Sequence, residues 1–167
     1  HVVMLQRSPT YVVSGPSEDA INKLLRKILP IKLTYFLIRW KNILYQSFTF
    51  FMARKYPERT KNKILELAKN ELGPDYDIDK HLTPSYKPWD QRICLVPDSD
   101  LFEAIKNKKA SIVTDTIKEF QTNGVLLNSG EKIEADLIIT ATGIELNALN
   151  DINVSIDDVK VNPNERL

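Results

Sequence analysis

The sequence predicts an α/β fold in which a run of helices interrupts a small sheet. Three observations predict it. A short apolar run, Val2 to Gln6, ends abruptly at the turn-forming Arg7-Ser-Pro. Helical spacing of apolar residues then dominates to Gly73-Pro74, and short strand-like runs return from Arg92 onward. A switch from a period near 3.6 to short β-branched runs marks a change from helix to strand.

Taken in order, Val2 to Gln6 reads as a buried strand, and Ser14-Gly-Pro-Ser17 as a turn. Ser17 is a candidate N-cap, with Glu18 and Asp19 favourably placed in the first turn of the helix that follows. Ala20, Ile21, Leu24, Leu25 and Ile28 share one helical face, and Pro30 stops the helix. A longer helix follows over 33–56, whose Phe36, Leu37, Trp40, Ile43, Leu44, Phe48, Phe51 and Met52 are expected in the core. Pro57 breaks it, and a third helix over 58–72 ends at Gly73-Pro74. The polar segment 75–90, with Pro84 and Pro88, is expected to be a surface loop. Arg92 to Val96 is a short apolar run. Asp98 or Ser99 caps a helix that turns Leu101, Phe102 and Ile105 inward. Strands are expected at 111–114, 117–120, 125–127 and 137–142, with hairpin turns at Thr122-Asn-Gly124 and Asn128-Ser-Gly130. The sheet should carry both Val2 to Gln6 and Leu137 to Thr142, and the polar tail after Gly143 should be loose.

Composition narrows the functional classes. The 167 residues suit one domain, and 43% hydrophobic residues can build a core. A net charge of +1, with both signs interspersed, argues against a general nucleic-acid surface. The single Cys94 permits no intrachain disulfide and no Cys-x-x-Cys redox pair; a reducing, cytoplasmic setting is the expectation. His1 and His81 form no catalytic triad pattern, and no metal-ligand spacing is present. Arg39, Lys41 and Asn42 interrupt the long apolar helix. Each charge would cost roughly 3 kcal/mol at a bilayer centre, so packing is favoured over peripheral membrane contact.

The candidate chemistry begins at Arg7. In a nucleotide-binding α/β fold the end of the second strand lies beside the ribose of a dinucleotide. A guanidinium there suits a 2′-phosphate, which it holds through a planar fork, and nearby hydroxyls such as Ser8 and Thr10 can add donors. The pattern therefore points to NADP rather than NAD.

Gln6-Arg-Ser-Pro-Thr-Tyr11, Trp89-Asp-Gln-Arg-Ile-Cys-Leu-Val-Pro-Asp98 and Ala135-Asp-Leu-Ile-Ile-Thr-Ala-Thr-Gly143 follow one another in order. Together they resemble the class B flavoprotein monooxygenases, and more narrowly the Baeyer–Villiger-like branch that contains the ethionamide-activating enzymes. The resemblance runs to about residue 150. It implies part of a Rossmann-like NADP-binding domain, with a helical insertion at about 17–73 and a tail over 151–167 leading towards an FAD domain. It also implies an FAD- and NADP-dependent enzyme. Such an enzyme inserts one oxygen atom into a small organic ketone, sulfide, thioamide or amine through a C4a-peroxyflavin. Arg92 matches the family's active-site arginine, a permanent cation suited to developing negative charge. The competing assignment for Arg92 is a surface ion pair with Asp90 or Asp98. Gln91 matches a position that is often basic in relatives, where it assists the 2′-phosphate; glutamine can donate a hydrogen bond but adds no charge. Thr142 and Gly143 match a cofactor-approach turn.

The sequence departs from that family in its glycines. Its five, Gly15, Gly73, Gly124, Gly130 and Gly143, form no G-x-G-x-x-G fingerprint, although the family carries one for each dinucleotide. The chain therefore reads as an interior fragment of a longer enzyme, inactive alone. The reading from a different class is a non-catalytic nucleotide-domain fragment or interaction module.

Overall fold

A computed structural model describes residues 1–143, 152 and 154–161. Its elements, in chain order, begin with β1 (Val2–Gln6), β2 (Tyr11–Gly15), α1 (Ala20–Leu25), α2 (Ile31–Lys55), α3 (Pro57–Leu72) and α4 (Ile78–Leu82). They continue with β3 (Ile93–Pro97), α5 (Asp100–Lys106), β4 (Ala110–Thr114), β5 (Ile117–Gln121), β6 (Gly124–Leu127) and β7 (Lys132–Glu134), then β8 (Val154–Ile156) and β9 (Val159–Val161). The architecture is mixed helix and strand.

Two strand pairs are parallel. β1 pairs with β4 from Val2 opposite Ala110 to Gln6 opposite Thr114. β2 pairs with β3 from Tyr11 opposite Ile93 to Gly15 opposite Pro97. Parallel neighbours need a long crossover, and α1 to α4 supply the one between β2 and β3. β5, β6 and β7 form an antiparallel meander whose tight turns fall where the two Asn- and Gly-containing signals lie.

The core gathers Val12, Ala68, Ile78, Leu82, Phe102 and Ile112, with Met4, Leu65, Leu72, Tyr76 and Cys94 packed at its edge. α3 contributes because Ile64 and Ala68 lie four residues apart and so share the helix face turned inward. Phe102 anchors α5 and is wholly buried. Burial of such a ring is worth about 1.5–3 kcal/mol.

Several expectations are corrected. Leu137 to Thr142 is not a strand among the described residues, and Leu137 is 77% exposed. An apolar run becomes a strand only when a neighbour accepts its backbone hydrogen bonds, and here β4, not this segment, lies beside β1. Residues 11–15 form β2, where the sequence suggested only a turn beginning at Ser14. The cap of α1 is Asp19 rather than Ser17, because its carboxylate accepts from the amides of Ile21 and Asn22. The segment 75–90 is no free surface loop. It contains α4 and buries Leu82, Pro84 and Pro88. The tail holds the β8–β9 hairpin over 154–161; its other expected features lie outside the described residues.

The largest correction concerns α2. The helix turns Thr34, Ile38, Lys41, Asn42 and Ala53 towards the protein, and leaves the aromatic stripe expected in the core open to solvent. Phe36 is 56% exposed, Trp40 48% and Phe48 61%. Apolar periodicity identified the helix and its two faces but not which face the fold covers.

Candidate functional site

β1 delivers Gln6 and Arg7 to the carboxyl end of a parallel strand pair, beside Thr114 at the end of β4. Open α/β sheets bind ligands outside the carboxyl ends of their strands, and here the Gln6 carbonyl is held by the Asp115 amide at 3.0 Å. Arg7 and Ser8 are exposed, and neither side chain has a hydrogen-bond or ion-pair partner among the described residues. Thr10 is buried and its hydroxyl is engaged at 2.9 Å by the Tyr86 hydroxyl.

Tyr86 organises this region. Its hydroxyl also donates to the Arg92 carbonyl at 3.1 Å, while its own carbonyl accepts from the Tyr11 hydroxyl at 2.7 Å. The Tyr11 and Tyr86 rings meet edge to face, 5.4 Å apart at 86°. Tyr11 is fully buried, and burial first, with the neighbouring Tyr86 next, raises its phenol pKa above 10.0. It therefore serves as a neutral donor. Extending the β2–β3 register by one residue sets Arg92 opposite Thr10. Arg7 lies three residues before Thr10, at most about 11 Å away along the chain. One tyrosine thus ties the segment carrying Arg92 to the turn carrying Arg7.

Trp89, three residues before Arg92, adopts φ +68. A bulky residue there is strained, at a cost of about 1–3 kcal/mol. The Phe50 ring packs edge-on against its indole at 5.8 Å, and Arg54 forms an ion pair with Asp90. These α2 contacts hold the bend that leads into Gln91 and Arg92. Both of those side chains are exposed. Neither carboxylate weighed as a partner takes Arg92, since Asp90 is bound by Arg54 and Asp98 accepts from the Ser17 amide at 3.0 Å. The guanidinium is left without a carboxylate among the described residues.

A second polar group sits at the β1–β4 end. The Gln6 amide donates to the Thr114 hydroxyl at 2.8 Å and to the His81 carbonyl at 2.7 Å, and His81 Nδ1 meets the same hydroxyl at 2.9 Å. Thr142 and Gly143 are exposed, Gly143 has φ +106, and a side chain there would meet nothing nearby. The backbone turn is thus open to close approach.

Tyr86 and His81 were not singled out by sequence. A signal for the first existed in the Pro84-Ser-Tyr-Lys-Pro88 spacing, since two prolines restrict the chain around one aromatic. For His81 there was none, because its partners lie 33 and 75 residues away in the chain.

The chain is 47% identical over 161 residues to the FAD-containing monooxygenase EthA of Mycobacterium tuberculosis, an alignment that takes in 96% of this chain and 33% of that protein. It is 44% identical over 146 residues to the protein of the same name from Mycolicibacterium smegmatis, covering 87% of this chain and 30% of that one. To the "Probable FAD-binding monooxygenase AlmA" of an Acinetobacter species it is 42% identical over 167 residues, which is 100% of this chain and 33% of the relative. The chain thus spans about a third of the length of the curated relatives it matches. No family model matches it, and neither does any solved structure.

Proposed function

We propose that this homologue of the FAD-containing monooxygenases, which spans about a third of its relatives' length, is part of a Rossmann-like NADP-binding domain. The enzyme is an FAD- and NADP-dependent monooxygenase of the cytoplasm that inserts one oxygen atom into a ketone, sulfide, thioamide or amine. The observation that carries this reading is the Tyr86 clamp, which ties the Arg92 backbone to Thr10, three residues from Arg7, while neither guanidinium has a carboxylate partner among the described residues.

The residues fit NADP. Arg7, exposed at the carboxyl end of β1, offers a planar fork to the 2′-phosphate, with Ser8 as a second donor. Thr10 acts chiefly by anchoring that turn through Tyr86, Gln91 adds a neutral donor, and Thr142 and Gly143 admit cofactor against backbone. The residues do not fit FAD by themselves, since the sequence offers no glycine-rich turn to cradle its pyrophosphate. Flavin, when bound by the longer protein, supplies the oxygen chemistry. Arg92 supplies a fixed positive charge that keeps its proton at working pH and stabilises negative charge as it develops. The same missing glycine turns favour the second reading, a non-catalytic nucleotide-domain module.

Two variants of the protein carrying this chain test the proposal. Arg92→Ala should leave flavin reduction by NADPH largely intact and lower oxygen transfer by about 10²–10³-fold, as loss of one such electrostatic group does. Lysine should rescue poorly, having charge without the fork. Arg7→Ala should weaken NADPH about 10- to 150-fold while sparing NADH, the equivalent of one charged hydrogen bond. Wild-type oxygen transfer in the first variant, or equal losses with both coenzymes in the second, would remove these assignments.

A further inference from the structure

The open face of α2 carries Phe36, Trp40, Ile43, Leu44, Phe48 and Phe51, spaced three or four residues apart and all exposed. Isolated exposed apolar residues are ordinary, but a contiguous stripe along a helix marks an interaction surface. Its charge identifies the partner. From Ala20 to Pro57 the sequence holds eight Lys and Arg and no Asp or Glu, in a chain whose net charge is only +1. Lys23, Lys41 and Arg54 are paired with Glu18, Asp19 and Asp90, elements outside this stretch. The remainder, including Arg26, Lys27, Lys32 and Lys55, have no carboxylate partner among the described residues.

Between α1 and α2 lies a cavity of about 370 Å³, lined by Asn22, Arg26, Ile31, Lys32, Tyr35 and Ile38. Two cations stand over apolar walls with no acid present. That chemistry suits a molecule with an anionic head and an apolar body. Lys32 and Arg39 flank the aromatic stripe on one side, as basic residues do along a helix lying in a lipid interface. No helix of the described residues is long and apolar enough to cross a membrane, so the helix would lie along the surface.

We propose that the α1–α2 hairpin docks on an anionic lipid surface, with the aromatic stripe of α2 among the acyl chains and the Arg26–Lys32 cavity taking a lipid phosphate. A basic side chain near such a surface contributes enough that losing two weakens binding about 25-fold.

The test is flotation of the protein carrying this chain with vesicles of pure phosphatidylcholine, or of phosphatidylcholine and phosphatidylglycerol in equal parts. Wild type should float with the anionic vesicles alone, less so in high salt. Arg26→Gln with Lys32→Gln should weaken binding about 25-fold. Lys118→Gln with Lys132→Gln removes the same charge from the β5–β7 meander and should leave binding nearly unchanged. Trp40→Gln with Phe48→Gln should abolish binding while keeping the melting temperature. Four outcomes overturn the proposal: equal binding to neutral vesicles, equal effects of the two charge pairs, or either of two results in which wild type does not float. In one of those, the aromatic pair lowers the melting temperature, and the face belongs to the rest of the longer polypeptide. In the other, the pair turns a dimer into a monomer by light scattering, and the face belongs to a second copy.

Discussion

The Thr114 hydroxyl accepts from the Gln6 amide, so its own proton is free for His81 Nδ1. With the hydroxyl donating, the ring is neutral and carries its proton on Nε2. Burial first, and the charge of Lys80 second, lower the His81 pKa below 6.5, against a smaller opposing effect of Asp77. The folded state therefore binds this proton less readily than the unfolded one. Stability is fully present above the unfolded value near 6.5 and falls as pH drops below it, towards the lower folded value. Chemical denaturation of the chain at neutral and mildly acidic pH should show this loss, and His81→Gln should remove most of the step. Asp19, Asp98 and Asp115 are lowered from 3.8, chiefly by side-chain hydrogen bonds with Lys41, Ser17 and Ser129 respectively. Their contributions are lost only in more acid solution, so the histidine step stands apart from them. A variant with an unchanged step between neutral and mildly acidic pH would show that His81 is not its source.

Among the elements, the β5–β7 meander depends on one backbone position. Gly124 opens β6 with φ +152, and a side chain there would fall on the Ile133 carbonyl of β7. Both the conformation and the space exclude a Cβ, so Gly124→Ala should cost at least about 2 kcal/mol. Gly130, in the turn between β6 and β7, has φ +89 but open space around it. Gly130→Ala should cost only about 1 kcal/mol, the conformational part alone. Denaturant midpoints of the two variants check the ranking, and equal losses would mean that the Ile133 carbonyl yields. The same scale explains α2. Its length was readable because Pro30 and Pro57 bracket it, and Pro57 sits at the first turn of α3, where its missing amide costs nothing.

For the whole molecule, binding of a dinucleotide pyrophosphate needs close backbone approach at a glycine-rich turn and a helix N-terminus. The 167 residues contain no such turn. The purified chain should accordingly be colourless and retain no FAD, as its visible absorbance will show. A yellow preparation with near-stoichiometric flavin would mean that other residues hold the cofactor, and would reopen the assignment of this chain to NADP-domain duty alone.

The sequence by itself determined what depends on neighbours in the chain. Helix periodicity and prolines set α2 and α3 within a few residues, but α1 ends at Leu25, well before Pro30. The Asn- and Gly-containing turns marked both corners of the meander but not β7, whose three residues hold a single apolar side chain. The ordered motifs around Arg7 and Arg92 carried the resemblance that the relatives support. Tertiary structure decided what depends on distant partners. It paired β1 with β4 rather than with 137–142, because strand identity is a matter of which backbone lies alongside. It engaged the Thr10 hydroxyl through Tyr86, 76 residues away, and made a polar network of His81. It also turned the apolar stripe of α2 outward, since periodicity reports that a helix has two faces, whereas burial depends on which of them meets another element.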